Sequence, residues 1–539
     1  MRSYAAILAA VLFVVGCSPP WSGGGNEDAE KARAAISRAL HSPDSALLPA
    51  ASSHPEDREQ LGRFYQSRGY APAWTEGGFR GHPLLVALAG ARSHGLDPGR
   101  YRSAQLESLI SGGTDELSPE DLARVDLALT AGFIAYASDL DVGRARASQV
   151  RDLVPVLEQA LAGDATAALE AIAPKHPMYA RLRNALQTYH TIAETPDWPA
   201  LPNGELAKPG EPDARAPLLW QRLQRIGDLA PESSRSSDGV VDDVLVSAVR
   251  HFQKRNGLEP TGNLDDDTVS ALDVAPADRV RQIEANLERW RWLPDDTPPR
   301  MIIVNIPEFR LRVVEDGKES MSMRVIVGKP EHPTPILNAS MNQVVLNPYW
   351  NIPTSITRKE ILPKMLKDPS YATRNGIEVV RVENGRWSPI GSERFEWSRV
   401  GVHDSHLRLR QRPGPRNSLG RVQFRFPNPH DVYLHDTPAD ELFDRADREL
   451  SHGCVRVSQP VELAEYVLQT NGDWDRVAIA KVIETGERKA VDLKQPIPVL
   501  LVYFTAWVDP EGQVQFRNDV YGWDANETAA RKGRTTLPS

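Results

Sequence analysis

The first hydrophobic feature is a single apolar run, Tyr4 to Val15, opened by Arg2 and closed by Gly16-Cys17-Ser18. It is shorter than the roughly 20 apolar residues a membrane-spanning helix needs, so it predicts a signal peptide over residues 1–17. Residues 18–35 begin rich in Ser, Gly and Pro, which suits a flexible tether. Apolar residues then recur at helical spacing, as in Leu84, Leu85 and Leu88, and again in Leu127, Leu129, Phe133 and Tyr136. A helical scaffold over 36–195 is predicted, whose histidines and aromatics show no catalytic spacing and read as packing residues. Pro196, Pro199, Pro202, Pro209, Pro212 and Pro217 crowd the next polar stretch, which cannot sustain a helix and reads as a semi-rigid linker over 196–217.

Helical periodicity returns over 218–275. Leu218-Leu219-Trp220 with Leu223 and Ile226 mark one helix, and Leu245, Val249 and Phe252 share one face of a second. Gly257 to Gly262 form a turn, and Asp265 to Asp267 cap and charge the start of a third helix through Leu272. A connecting helix is expected over 276–300. At Met301 the period becomes alternating: Phe309, Leu311 and Val313 interleave with Arg310 and Arg312, and Asp316-Gly317 marks a hairpin. Strand-like runs recur at Met323 to Val327, Asn342 to Leu346, Val422 to Phe426, Val432 to Leu434 and Val499 to Trp507. They define a mostly β domain over 301–524, followed by a tail over 525–539.

Within that domain, 353–416 has its own texture: a helix from Ser355 to Leu366, a hairpin turning at Asn384-Gly385, and the basic run Leu407 to Arg412. An insertion with elements of its own suggests a lid. Arg408, Arg410 and Arg412 fall on one strand face, where they either meet solvent or orient acidic groups. The fold expected is multidomain α+β: a helical scaffold, a three-helix module, and a mostly β domain carrying an inserted lid.

A formal charge of −9, from 63 Lys and Arg against 72 Asp and Glu, argues against nucleic acid as a partner. The chain holds only 2 cysteines. Val14-Val15-Gly16-Cys17 resembles a bacterial lipobox, which implies cleavage before Cys17, lipidation of its thiol and a membrane anchor. Ser18 in place of Asp resembles outer-membrane sorting in Gram-negative bacteria, so the expected location is the periplasm. Lipidation would leave Cys454 without a disulfide partner in an oxidising compartment, either inert or kept for its reactivity.

The neighbours of Cys454 bear on that choice. It lies in Ser451-His452-Gly453-Cys454-Val455-Arg456-Val457, shortly after Tyr433-Leu434-His435-Asp436-Thr437-Pro438. A thiol titrating near ~8.5 is mostly protonated at neutral pH and needs a base, which His435 can supply. Gly453 lets backbone N–H groups approach an oxyanion, and the fork of Arg456 suits a carboxylate. Two other readings use the same residues. One is a buried inert thiol. The other is zinc held by His435, His452 and Cys454, although no His-Glu-x-x-His and no repeated carboxylate–histidine spacing accompanies them. No metal or cofactor is expected.

Ser451 to Arg456 with His435 upstream resemble the signature of the L,D-transpeptidase family with the YkuD-type fold, over roughly Met301 to Asp524. Phe252 to Leu258, Thr261-Gly262 and Thr268 resemble the three-helix peptidoglycan-binding module of wall hydrolases. With the insertion, the whole is similar to the large lid-bearing Gram-negative subgroup. The resemblance implies that Cys454 attacks the diaminopimelate carbonyl of a donor tetrapeptide stem, expels D-alanine, and passes the acyl group to the amine of a second stem. It further implies His435 as base, an oxyanion hole from the N–H groups of Gly453 and Cys454, a site shaped by Tyr433, Ser451 and His452, and acylation by carbapenems. Peptidoglycan stems and glycan would be the partners, with an envelope protein as another candidate acceptor. Water as acceptor would make an L,D-carboxypeptidase or endopeptidase, and a dead site a wall-binding lipoprotein. Many members carry glycine after the upstream histidine, where Asp436 stands here.

Overall fold

The computed structural model describes residues 25–525 other than 43–53, 55, 76–78, 112–116, 145–149, 195–196, 231, 234–238, 295–297, 369, 384–385 and 391–405. Cys17 and the Asn384-Gly385 turn lie outside the described residues. The chain forms two compact units, one of residues 1–92 and 96–173, the other of 93–95 and 174–539.

The first unit is helical. Its longest helix, Pro119–Val142, starts where the Ser118 hydroxyl accepts the Asp121 N–H, and it buries Leu127, Leu129, Phe133 and Tyr136. Asp126 of this helix, fully buried, accepts the Tyr65 hydroxyl at 2.6 Å and the N–H groups of Ala73 and Trp74, each at 2.8 Å. The first described helix, Gly25–His41, starts inside the segment expected to be a tether. Ala32, Ala35, Ile36 and Ala39 recur at helical spacing and are buried, which holds that segment to the unit.

In the second unit, helix Pro177–Ala193 packs along helix Pro276–Trp290. His176 stacks on Trp290 at 4.7 Å, and Tyr189 meets Phe516 edge-on. Helices Ala216–Arg225, Asp243–Arg255 and Asp266–Asp273 form the three-helix module. Asp265 caps the third through the Thr268 N–H. The buried Gln253 amide donates to Thr261 Oγ1, Asn263 O and Thr268 Oγ1, and accepts the Gly262 N–H at 2.8 Å. That explains why Gln253, Thr261, Gly262 and Thr268 occur together. The proline-rich segment is strapped to this module rather than free: Leu201 and Leu206 enter its core, and Trp198 donates to Leu272 O while carrying the Arg222 guanidinium at 4.7 Å.

The β domain has strands β1 (Arg300–Asn305), β2 (Arg310–Glu315), β3 (Lys318–Gly328), β4 (Leu337–Leu346), β5 (Trp350–Asn351), β6 (Ile377–Glu383), β7 (Arg386–Ile390), β8 (Leu407–Gln411), β9 (Val422–Arg425), β10 (Leu434–His435), β11 (Glu449–Ser451), β12 (Val455–Val457) and β13 (Lys489–Val502). The main sheet runs β11-β3-β12-β10-β9-β4-β13-β1-β2, and β2 also pairs with β3, so the sheet closes on itself. Asp316 and Gly317, both at positive φ, turn β2 into β3. Ile302, Leu311, Val325, Val344, Phe424, Leu434, Val455, Val457 and Val499 bury the core face, joined by Leu463 and Val467 of helix Pro460–Leu468.

The insertion carries its own sheet, β5-β8-β6-β7, with β6 and β7 pairing on either side of the Asn384-Gly385 position. Its helix runs Thr354–Ile356, widens to a π-helical stretch at Thr357–Ile361, and continues as Leu362–Lys367. Pro363 has no N–H to give, which disfavours a regular α ladder there. On β8, Leu407, Leu409 and Gln411 are buried while Arg408 and Arg410 turn outward.

Candidate active site

Alternation on β10 and β12 sends Leu434, Val455 and Val457 into the core and leaves His435 and Arg456 on the opposite face. The strands are parallel, with Leu434 opposite Val455 and His435 opposite Arg456. Cys454 immediately precedes β12 in phase with Arg456, and the Val455 N–H is tied to Tyr433 O at 3.1 Å. Cys454, His435, Tyr433 and Arg456 are thereby collected at one end of neighbouring strands.

His435 is buried and its Nδ1 lies 2.5 Å from Asp436 O. A carbonyl can only accept, so Nδ1 carries the proton and Nε2 is the basic nitrogen. Burial, with the Arg456 charge second, depresses the imidazole to about 3. Burial also raises the Cys454 thiol, against hydrogen bonds from Tyr433 and the Arg456 charge, which favour the thiolate. The resting pair is therefore neutral thiol and neutral imidazole. Arg456 acts on both groups at once, and its Nε is buried with no hydrogen-bond partner among the described residues. The Tyr433 ring lies 5.7 Å from that of His435.

The turn bearing Cys454 is held from several sides. Gly453 has φ +108°, a region that penalises any residue with a side chain. Ser451 Oγ donates to Cys454 O at 2.5 Å and accepts the Gly453 N–H at 3.1 Å. The expectation that Gly453 N–H serves an oxyanion hole is thus corrected: it is already bonded, leaving Cys454 N–H as the member of that pair not taken up by Ser451. Thr334, wholly buried, donates to Gly453 O and accepts the Gly328 N–H, both at 2.8 Å. The Tyr521 hydroxyl braces the same loop from Gly328 O at 2.5 Å. A Cβ on Gly328 would sit 2.2 Å from His332 O, so the loop approaches as closely as backbone allows.

His452 points to solvent rather than into the sheet. Its Nε2 is 2.6 Å from Glu360 Oε1 in the π-helical turn of the insertion, and His332 stacks on its ring at 5.4 Å. Asp436 accepts the N–H groups of Arg421 and Thr437, each at 2.7 Å. Arg410 bonds Glu378 at 2.5 Å and lies over Tyr349 at 4.1 Å, and Arg412 reaches the same carboxylate at 3.6 Å, so the basic run is partly neutralised within its own sheet. Among the described residues no three His, Cys, Asp or Glu side chains are grouped to hold a metal ion. Thr334, Glu360, His332 and Tyr521 were not evident from sequence. They lie far along the chain, 92 residues separating Glu360 from His452, in segments whose local pattern is that of ordinary helix and loop.

This arrangement has the parts of a thiol acyl-transfer site: a sulfur, an imidazole with a fixed tautomer on the neighbouring strand, a fixed cation and a turn that requires glycine. The family models give its class. The L,D-transpeptidase catalytic domain (YkuD) matches residues 299–484, a peptidoglycan binding domain 214–272 and a scaffold domain 59–186. Residues 299–484 are a YkuD-type L,D-transpeptidase catalytic domain, and the chain carries a peptidoglycan-binding domain ahead of it. The chain is 33% identical over 245 residues to a Haemophilus influenzae protein named "Putative L,D-transpeptidase", covering 46% of this chain and 48% of that one, about half its length. Solved L,D-transpeptidases from Xylanimonas cellulosilytica and Stackebrandtia nassauensis are each 15% identical over 56% of this chain and 99% and 97% of theirs, with TM-scores of 0.17 and 0.19.

Proposed function

We propose that the protein is a cysteine L,D-transpeptidase that joins peptidoglycan stems through diaminopimelate residues. The observation that carries the reading is the register of His435 against Arg456, with Cys454 two residues before Arg456, inside the matched catalytic domain. Cys454 attacks the diaminopimelate carbonyl of a donor tetrapeptide as His435 Nε2 takes the thiol proton. The oxyanion is met by Cys454 N–H, and Arg456 favours the sulfur anion when it forms and leaves. D-Alanine departs with the proton from His435. The thioester is then resolved by a second stem's amine.

The peptidoglycan-binding domain supports the wall as substrate, with glycan engaged by residues 214–272. We further propose that Cys17 is lipidated and anchors the chain to the periplasmic face of the outer membrane. Incubating the purified protein with disaccharide tetrapeptides tests the activity: dimers linked between diaminopimelate residues are expected by mass spectrometry. Tripeptide alone would instead assign water as the acceptor.

A further inference from the structure

The acceptor of the proposed reaction is an alkyl amine, which arrives as an ammonium ion because such groups titrate near ~10.4. Two protons must leave its nitrogen before an amide is complete. One returns to sulfur as the C–S bond breaks, and His435 can carry it. His435 has no place for the other: its Nδ1 already holds a proton bonded to Asp436 O, and only Nε2 remains. The second half-reaction therefore needs another base, open to solvent.

A suitable pair stands on the insertion side of the nucleophile. Glu360 Oε1 accepts from His452 Nε2 at 2.6 Å, so Nε2 bears a proton and, in the neutral ring, Nδ1 is the basic nitrogen. The stacked His332 ring holds the plane of His452. The two side chains are 34% and 40% exposed, in contrast to buried His435, so an acceptor can reach them and a proton can leave. His452 is two residues from Cys454, and the carboxylate comes from the π-helical turn Thr357–Ile361, a distortion found often at functional positions.

We propose that His452 is the acceptor-side base and that Glu360 is its positioning residue, supplied by the insertion. This rests on the transpeptidase reading above. The ammonium gives one proton to His452 Nδ1, with Glu360 stabilising the imidazolium. The freed lone pair attacks the thioester carbonyl and forms the C–N bond. Collapse of the tetrahedral species breaks the C–S bond, and the remaining surplus proton passes through His435 to sulfur. His452 then releases its proton to water, and no electrons change hands beyond these bonds.

The test is a single-turnover measurement on the full-length protein, preloaded with a tetrapeptide donor, comparing Glu360→Gln with the parent. Two acceptors are used: a stem peptide with its ammonium group, and hydroxylamine, which is already unprotonated at neutral pH. With the stem, Glu360→Gln is expected to resolve the thioester on the order of 10²-fold more slowly, while with hydroxylamine the two proteins agree within about twofold. Glu360→Asp should recover part of the loss. Equal losses with both acceptors would overturn the inference and reduce the contact to a structural tie, as would no loss at all. Absence of any thioester on the parent protein would overturn the transpeptidase reading itself.

Discussion

Replacing Thr334 by Val removes a hydroxyl while keeping the side-chain volume, so no cavity confuses the result. Thr334 is fully buried and bridges Gly328 N–H to Gly453 O through two bonds of 2.8 Å. The valine strands a buried donor and a buried acceptor. At about 1–3 kcal/mol for each orphaned group, the expected loss is roughly 2–6 kcal/mol. At about 2–4 °C per kcal/mol for a domain of this size, the catalytic domain should melt on the order of 10 °C lower. Thr334→Ser keeps both bonds and loses only a methyl group, about 0.8 kcal/mol. Thermal unfolding by calorimetry compares the three proteins, and the rate of thioester formation at a temperature where all are folded reports on the turn. The valine variant should be slower than the serine variant, because Gly453 O is released beside Cys454. If the two variants melt within a degree of each other and acylate equally fast, Thr334 does not brace the nucleophile turn.

Because the Cys454 thiol is raised and His435 is held near 3, the thiol should be neutral at pH 7. Iodoacetamide alkylation should then climb steadily from pH 6 to beyond the ordinary thiol range near ~8.5; a plateau already reached at pH 6 would mean a resting thiolate–imidazolium pair instead. Gln253→Leu should destabilise the peptidoglycan-binding module by about 2–5 kcal/mol in denaturant unfolding, since it breaks four bonds to a buried amide. A change below about 1 kcal/mol would show that the amide network is dispensable. Cys17→Ser should shift the protein from the membrane fraction to the soluble periplasmic fraction; retention after a high-salt wash would require a different anchor.

Local pattern carried much of the architecture. The 3.6-residue spacing of Leu219, Leu223, Leu245 and Val249, the Asp265 cap and the Asp316-Gly317 hairpin each act through neighbours a few residues away, and each appears as expected. That His435 and Cys454 are worth considering together is legible because both lie in short, unusual sequences, and the structure places those sequences on neighbouring parallel strands. What escaped depends on contacts between distant segments. Nothing local marks Thr334 or Tyr521 as braces of Gly453, or Glu360 as the partner of His452. The proline-rich segment illustrates the opposite error: its composition forbids a helix, but Leu201, Leu206 and Trp198 still bury themselves on the module. The sequence offers the Gly453 N–H to an oxyanion, because it cannot reveal that Ser451 Oγ accepts it.

On the proposed mechanism Cys454 forms a covalent acyl intermediate with a peptidoglycan stem. Intact-mass measurement of the protein mixed with a donor tetrapeptide, followed by peptide mapping, tests it directly. The expected result is an added mass equal to the stem less its terminal D-alanine, located on Cys454, removed by hydroxylamine and absent from Cys454→Ala. Turnover by Cys454→Ala, or an adduct on any other residue that forms and decays with turnover, would contradict it.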